Sequence, residues 1–148
     1  MCSVIVVCGS PASGKTTYVK KNMHKGDLII DLDLIYEAIT GSDSRERRPE
    51  LLPFMFAVRD TLYNKLDQWN GIDRAWIIAC LPKAYDRENI SKRFNAEIVL
   101  INKTRQECMQ QAMNDSTRTN DMSLQLKIIT EWFNAYTPRH KDFLVSKI

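Results

Sequence analysis

The chain is 148 residues and 17.2 kDa, the length of one domain, and it leaves no room for a second catalytic domain. With 44% hydrophobic and 26% charged residues, its composition is that of a globular protein with a sizeable core, which excludes disorder as the main state. The net charge of +3 suits an anion binder and falls far short of the basic stripe expected of a dedicated nucleic-acid binder.

In chain order, four short apolar runs read as buried strands, at 3–8, 28–32, 75–81 and 96–101. Runs that are apolar throughout, without strict alternation, belong to a parallel sheet covered on both faces. Helical spacing occupies the intervals. Segment 15–25 carries Val19 and Met23 four apart and is expected to stop at Gly26. Segment 51–69 places Met55, Val58, Leu62, Leu66 and Trp69 on one stripe, with Pro53 near its start and Asn70-Gly71 at its end. Leu124, Ile128 and Trp132 recur at four-residue intervals after Asp121, an N-cap residue. The alternation implies a three-layer α/β fold with right-handed crossovers. The polar segments 40–50 and 114–120 read as loops over the binding edge of the sheet.

Cys2, Cys8, Cys80 and Cys108 are far apart and read as free thiols of a reducing cytoplasm. The longest apolar runs fall well short of the roughly 20 residues that span a bilayer, and the N-terminal run leads into a glycine-rich turn, not a cleavage site. A cytoplasmic protein without a membrane segment is expected.

The most specific motif is Gly9-Ser10-Pro11-Ala12-Ser13-Gly14-Lys15-Thr16, which satisfies G-x-x-x-x-G-K-S/T at every fixed position. A strand precedes it and a helix-compatible run follows, the setting the motif requires. Glycines let the loop curl so that successive N–H groups face a phosphate, and the start of the helix adds its positive dipole end. Lys15 is expected to reach the β- and γ-phosphates of a nucleoside triphosphate, and the Thr16 hydroxyl to hold Mg²⁺. Thr17 extends the cofactor-binding set.

The second strand ends in Asp31 and Asp33, two apart and expected on the same side of an extended chain, at the edge that carries the phosphate loop. A carboxylate there accepts the proton of an attacking hydroxyl or binds Mg²⁺ water. Asp33 is the favoured base and Asp31 the alternative, while Asp33 also suits an N-cap of the short helix that follows. The third strand runs into Ala79-Cys80-Leu81-Pro82 without the acidic pair of a motor ATPase, which favours a small kinase. After the fourth strand, 105–120 reads as a lid whose arginine closes over transferring phosphate, with Arg118 the first candidate and Arg105 the second. Phe54, Phe56 and Tyr63 fall in an amphipathic run and read as core, and Arg45, Arg47 and Arg48 read either as contacts to a phosphate-bearing acceptor or as a solvated loop.

The loop, continued by Thr17-Tyr18, then Ile30-Asp31-Leu32-Asp33 and Trp76-Ile77-Ile78, resembles the kinase domain of polynucleotide 5′-hydroxyl kinases and their small, often phage-encoded, AAA-like P-loop relatives. The likeness runs on to Phe133–Pro138 and the last strand near Phe143-Leu144-Val145. It implies a nucleoside-kinase-like parallel sheet of about five strands, ATP and Mg²⁺ as cofactors, and transfer of the γ-phosphate to a hydroxyl. It places Asp33 at the family's general base and Arg118 near a lid arginine. Tyr36 stands where the family has an arginine, and Ala79-Cys80-Leu81 replaces a polar strand end. The expected activity is therefore an ATP-dependent kinase whose acceptor is a polynucleotide 5′-hydroxyl, a nucleotide or a small molecule. The alternative is an ATPase or nucleotide-gated module that acts on a protein or nucleic-acid partner without an acceptor hydroxyl.

Overall fold

The computed structural model describes residues 2–68, 71–115 and 121–148. Five parallel strands form one sheet: β1 (Ser3–Cys8), β2 (Leu28–Asp31), β3 (Arg74–Ala79), β4 (Glu97–Ile101) and β5 (Phe143–Val145), in the order β2-β3-β1-β4-β5. β1 pairs with β3 in the register Val6↔Ile77 and with β4 in the register Val6↔Ile98. The helices are α1 (Lys15–Asn22), α2 (Leu32–Thr40), α3 (Leu52–Leu66), α4 (Ala84–Phe94), α5 (Arg105–Asn114) and α6 (Met122–Ala135). The expected α/β architecture, with five strands, is the observed one.

The three layers follow from strand alternation. One face of the sheet contributes Val6, Cys8, Ile30, Ile77, Ile98 and Leu100 to a core closed by Ile35 and Tyr36 of α2, Met55 of α3 and Trp132 of α6. The other face contributes Val7, Trp76, Ile78, Val99 and Ile101, closed by Val19 of α1.

Several expected boundaries move, each for a local reason. β2 stops at Asp31 because that carboxylate caps α2, accepting the Asp33 N–H at 3.2 Å. Asp33 therefore lies in the first helical turn, not on a strand beside Asp31, and Asp31, not Asp33, is the N-cap. α1 ends at Asn22 rather than Lys25: Met23 is extended, and Gly26, at φ 95°, turns the chain into β2. The Asp27 carboxylate locks that turn by accepting from His24 N–H, Arg74 Nε and Trp76 Nε1 at 2.8–2.9 Å. Those bonds, His24 first and Trp76 next, hold its pKa down to about 2.

α6 starts where expected, with the Asp121 carboxylate accepting from Leu124 N–H at 3.0 Å. Its buried stripe is Gln125, Ile129 and Trp132, which leaves Leu124 and Ile128 to line a cleft. Met55 is fully buried as expected, but Phe54 and Phe56 are exposed rather than core, because they flank Met55 off its face of α3. Trp69 lies outside the described residues. All four cysteines are free thiols. Among the described residues, no helix is long and apolar enough to cross a membrane.

Candidate active site

The phosphate loop sits between β1 and α1, at the edge of the sheet where the strands end. Its glycines are required by space as well as by backbone conformation. A Cβ on Gly9 would lie 2.7 Å from Ser13 Oγ and 3.3 Å from Ile101 Cβ. Gly14, at φ 100°, would bring a Cβ within 2.5 Å of Ile148 Cδ1. Ala12 also takes a left-handed conformation, at φ 62°. Within the loop, Ser13 N–H donates to Ser10 O, and Lys15 Nζ donates to Gly9 O at 3.1 Å and Ser10 O at 2.8 Å. The ammonium is thus folded against its own loop.

Ser13 Oγ is buried without a hydrogen-bond partner. α1 begins at Gly14 with no side-chain cap and no acidic residue in its first turn, so its N-terminal dipole is offered to a ligand. Thr16 and Thr17 are exposed in the same turn. An orphaned hydroxyl, an uncapped helix start and a lysine with only carbonyl partners make a donor set that fits a polyphosphate. The Thr16 hydroxyl, next in sequence to Lys15, and Asp31, which lines a cleft with Lys15, are the kinds of ligand that fit Mg²⁺, which is commonly held by few protein ligands together with substrate phosphates.

Lys15, Asp31 and Asp33 line one cleft, of about 820 Å³. Asp31 is 8% exposed, and burial, with the Asp33 charge adding to it, pushes its pKa up to about 6. Asp33 accepts a hydrogen bond from Arg47. Among the described residues, four arginines line the cleft: Arg45, Arg47, Arg59 and Arg93. The first two come from the polar segment after α2, which folds into short 3-10 turns at Ser44–Glu46 and Pro49–Leu51. Arg59 and Arg93 come from α3 and α4, where the sequence offered no signal beyond the residue type.

Tyr36, which stands where an arginine is expected from the family likeness, is fully buried, and its hydroxyl accepts from Arg48 N–H at 3.0 Å. Ala79, Cys80 and Leu81 form part of the cleft wall. Trp132 Nε1 donates to Cys80 O, while Arg87 donates to Leu81 O and Pro82 O. Of the lid candidates, Arg118 lies outside the described residues, and Arg105 is exposed at the start of α5. The segment read as a polar lid begins with that helix, closed by a capping box between Thr104 and Glu107 and packed on α6 through Cys108, Ala112 and Ile129. A second cavity, of about 490 Å³, adjoins the loop at Ala12, Ser13, Gly14 and Thr17 and is bounded by Lys103, Gln110 and Ile148.

A parallel sheet in this order, with a glycine-bounded lysine loop between its central β1 and α1, is a P-loop α/β fold. Solved structures share it. A gluconokinase from Sinorhizobium meliloti 1021 superposes with a TM-score of 0.59 at 12% identity, covering 97% of this chain and 81% of its own. A shikimate kinase from Bacteroides thetaiotaomicron gives 0.59 at 15% identity, over 89% and 78% of the two chains. A shikimate kinase from Acinetobacter baumannii, in complex with shikimate, gives 0.54 at 16% identity, over 100% and 85%. No protein-family model and no curated protein matches the sequence. The shared fold lends no support to a polynucleotide acceptor or a phage origin.

Proposed function

We propose that the protein is an ATP-dependent phosphotransferase that moves the γ-phosphoryl group to a hydroxyl of a small molecule. The carrying observation is that Lys15 of the phosphate loop and the carboxylates Asp31 and Asp33 line the same cleft. In this reading residues 1–148 are one kinase-like domain with 105–120 as its lid. Residues 9–17 cradle the phosphates, and Lys15 leaves its loop carbonyls to bind the β- and γ-oxygens. Mg²⁺, when bound at Thr16, neutralises charge shared between those phosphates. Asp33 accepts the proton of the acceptor hydroxyl as its oxygen attacks, and Arg118, or Arg105 in its place, faces the charge that develops on the transferred group.

The absence of an acid on Ala79-Cys80-Leu81 supports a kinase over a hydrolase, because it leaves no second carboxylate there to activate water. The test follows γ-labelled ATP over a panel of polyols, hydroxy acids and 5′-hydroxyl oligonucleotides. Label on a small organic acceptor is expected. Release as inorganic phosphate alone would favour the nucleotide-gated module, and label on the oligonucleotide would restore the polynucleotide reading. Asp33→Asn is expected to lower kcat by about 10²–10⁴ with nucleotide affinity kept. Lys15→Ala is expected to abolish the rise in Tm that Mg²⁺ and ATP give the wild type.

A further inference from the structure

The segment between α2 and α3 hangs over the cleft from two fixed points. Ser44 is buried and donates its hydroxyl to Glu37 Oε1 at 3.1 Å, and Arg48 N–H is held by the buried Tyr36 hydroxyl. Between them, Arg45 and Arg47 line the cleft. Arg45 extends to within 4.0 Å of Asp115 at the end of α5, and Arg47 bonds Asp33.

The other two described arginines of the cleft lie against aromatic rings. Arg59 lies against the rings of Phe56 and Tyr63, 5.0 and 5.7 Å from their centroids, and bonds Asp60. Arg93 lies against Tyr63 and Phe94 at 5.4 and 4.9 Å and bonds Asp67. Arg47 instead occupies the carboxylate that a substrate hydroxyl has to reach. Its side chain is 34% exposed and that of Asp33 46%, and ion pairs in such contact with water are held weakly. A guanidinium fork matches phosphate or carboxylate in two parallel hydrogen bonds, so an anion entering the cleft competes well for it.

We propose that Arg47 exchanges partners and thereby selects the acceptor. In the free protein it covers Asp33; an acceptor that carries a phosphate or carboxylate beside its hydroxyl draws the guanidinium away and uncovers Asp33. The inference rests on the reading of Asp33 as base and assigns to that same site an anionic hydroxy compound as substrate. Because the segment is anchored at Ser44 and Arg48, only the side chain has to move.

The experiment saturates the protein with Mg²⁺ and a non-hydrolysable ATP analogue, which fills the phosphate loop, and then titrates glycerol 3-phosphate, D-glycerate and glycerol by calorimetry. At least one anion is expected to bind tenfold or more tightly than glycerol, and the preferred one separates a phosphate acceptor from a carboxylate acceptor. Arg47→Gln is expected to erase that advantage. Asp33→Asn, which removes the competitor for Arg47, is expected to tighten anion binding at least threefold. Asp86→Asn, which deletes a charge from the same cleft outside that pair, is expected to tighten it less than twofold. Equal binding of anions and glycerol by the wild type, an advantage kept in Arg47→Gln, or equal tightening by Asp33→Asn and Asp86→Asn would overturn the exchange. The expected anion pattern together with absent label transfer would strike the kinase reading alone.

Discussion

Behind the β3 wall of the cleft and at its α2 wall, arginine meets a carboxylate at opposite degrees of burial. On the β3 side, Arg87 is fully buried, donates to Asp142 at 2.7 Å, and gives three further N–H bonds to the carbonyls of Leu81, Pro82 and Thr137. Asp142 also accepts from Arg139, which pairs with Glu88. On the α2 side, Arg47–Asp33 and Arg48–Glu50 lie in contact with water. A buried pair that loses one partner leaves a charge stranded, so it fixes geometry. An exposed pair hands its partners to water at little cost, so it can exchange. The Ala79–Leu81 wall is supported from behind by a pair of the first kind, and Arg47, inside the cleft, is held by one of the second.

Removing the buried partner breaks this contrast most strongly. Arg87→Met removes the fully buried guanidinium from Asp142, which keeps Arg139, and takes the side-chain donor from the Leu81 and Thr137 carbonyls, while Pro82 O keeps the Thr137 N–H; it is expected to cost about 3 kcal/mol in urea denaturation. It is also expected to loosen Ala79–Leu81, read as a rise in KM for the acceptor under conditions where the variant stays folded. A loss below about 1 kcal/mol would show that the two walls do not differ.

The next largest effect is at Asp31, whose pKa rises from its ordinary value of 3.8 to about 6. A carboxyl that binds its proton more tightly when folded stabilises the fold fully below pH about 4, and this contribution is lost as the pH rises through about 6. Asn serves equally well as an N-cap and does not titrate. The stability of the wild type relative to Asp31→Asn is therefore expected to fall by on the order of 2 kcal/mol between pH 4 and pH 7. A difference independent of pH would remove the burial argument. Asp27 gives the opposite sign: its stabilisation is present above pH about 4 and is lost as the pH falls towards 2.

How much was legible in the sequence follows from how local each feature is. The phosphate loop was complete because its chemistry needs fixed residue types at consecutive positions. Asp31 and Asp33 are both legible as carboxylates at the sheet edge, but the N-cap falls on Asp31 rather than Asp33, since the switch from strand to helix depends on which carboxylate turns back to cap. α4 escaped the hydrophobic period because its most buried residue is Arg87, and α5 escaped because Cys108 and Ala112 supply its buried face. Arg59 and Arg93 became site residues only through the packing that brings α3 and α4 to one cleft, and Phe54 and Phe56 mimic a core stripe that the fold leaves in water.

The smallest effect sharpens the contrast from the other side. Arg47→Gln removes an exposed pair anchored through a segment whose backbone is held independently at Ser44 and Arg48. The expected loss of stability is about 0–1 kcal/mol, shrinking further as salt is raised from 0.05 to about 0.5 M. Arg87→Met is expected to keep nearly its full cost over that range, because its pair is shielded from ions in solution. A loss at Arg47 approaching that of Arg87 would mean that both walls are fixed and that Asp33 is not released by exchange, and a strong salt dependence at Arg87 would mean that its pair is not shielded and that the contrast between the walls fails. A small, screened loss at Arg47 leaves the guanidinium free to serve the acceptor, which is the physical condition for selecting a substrate by its charge.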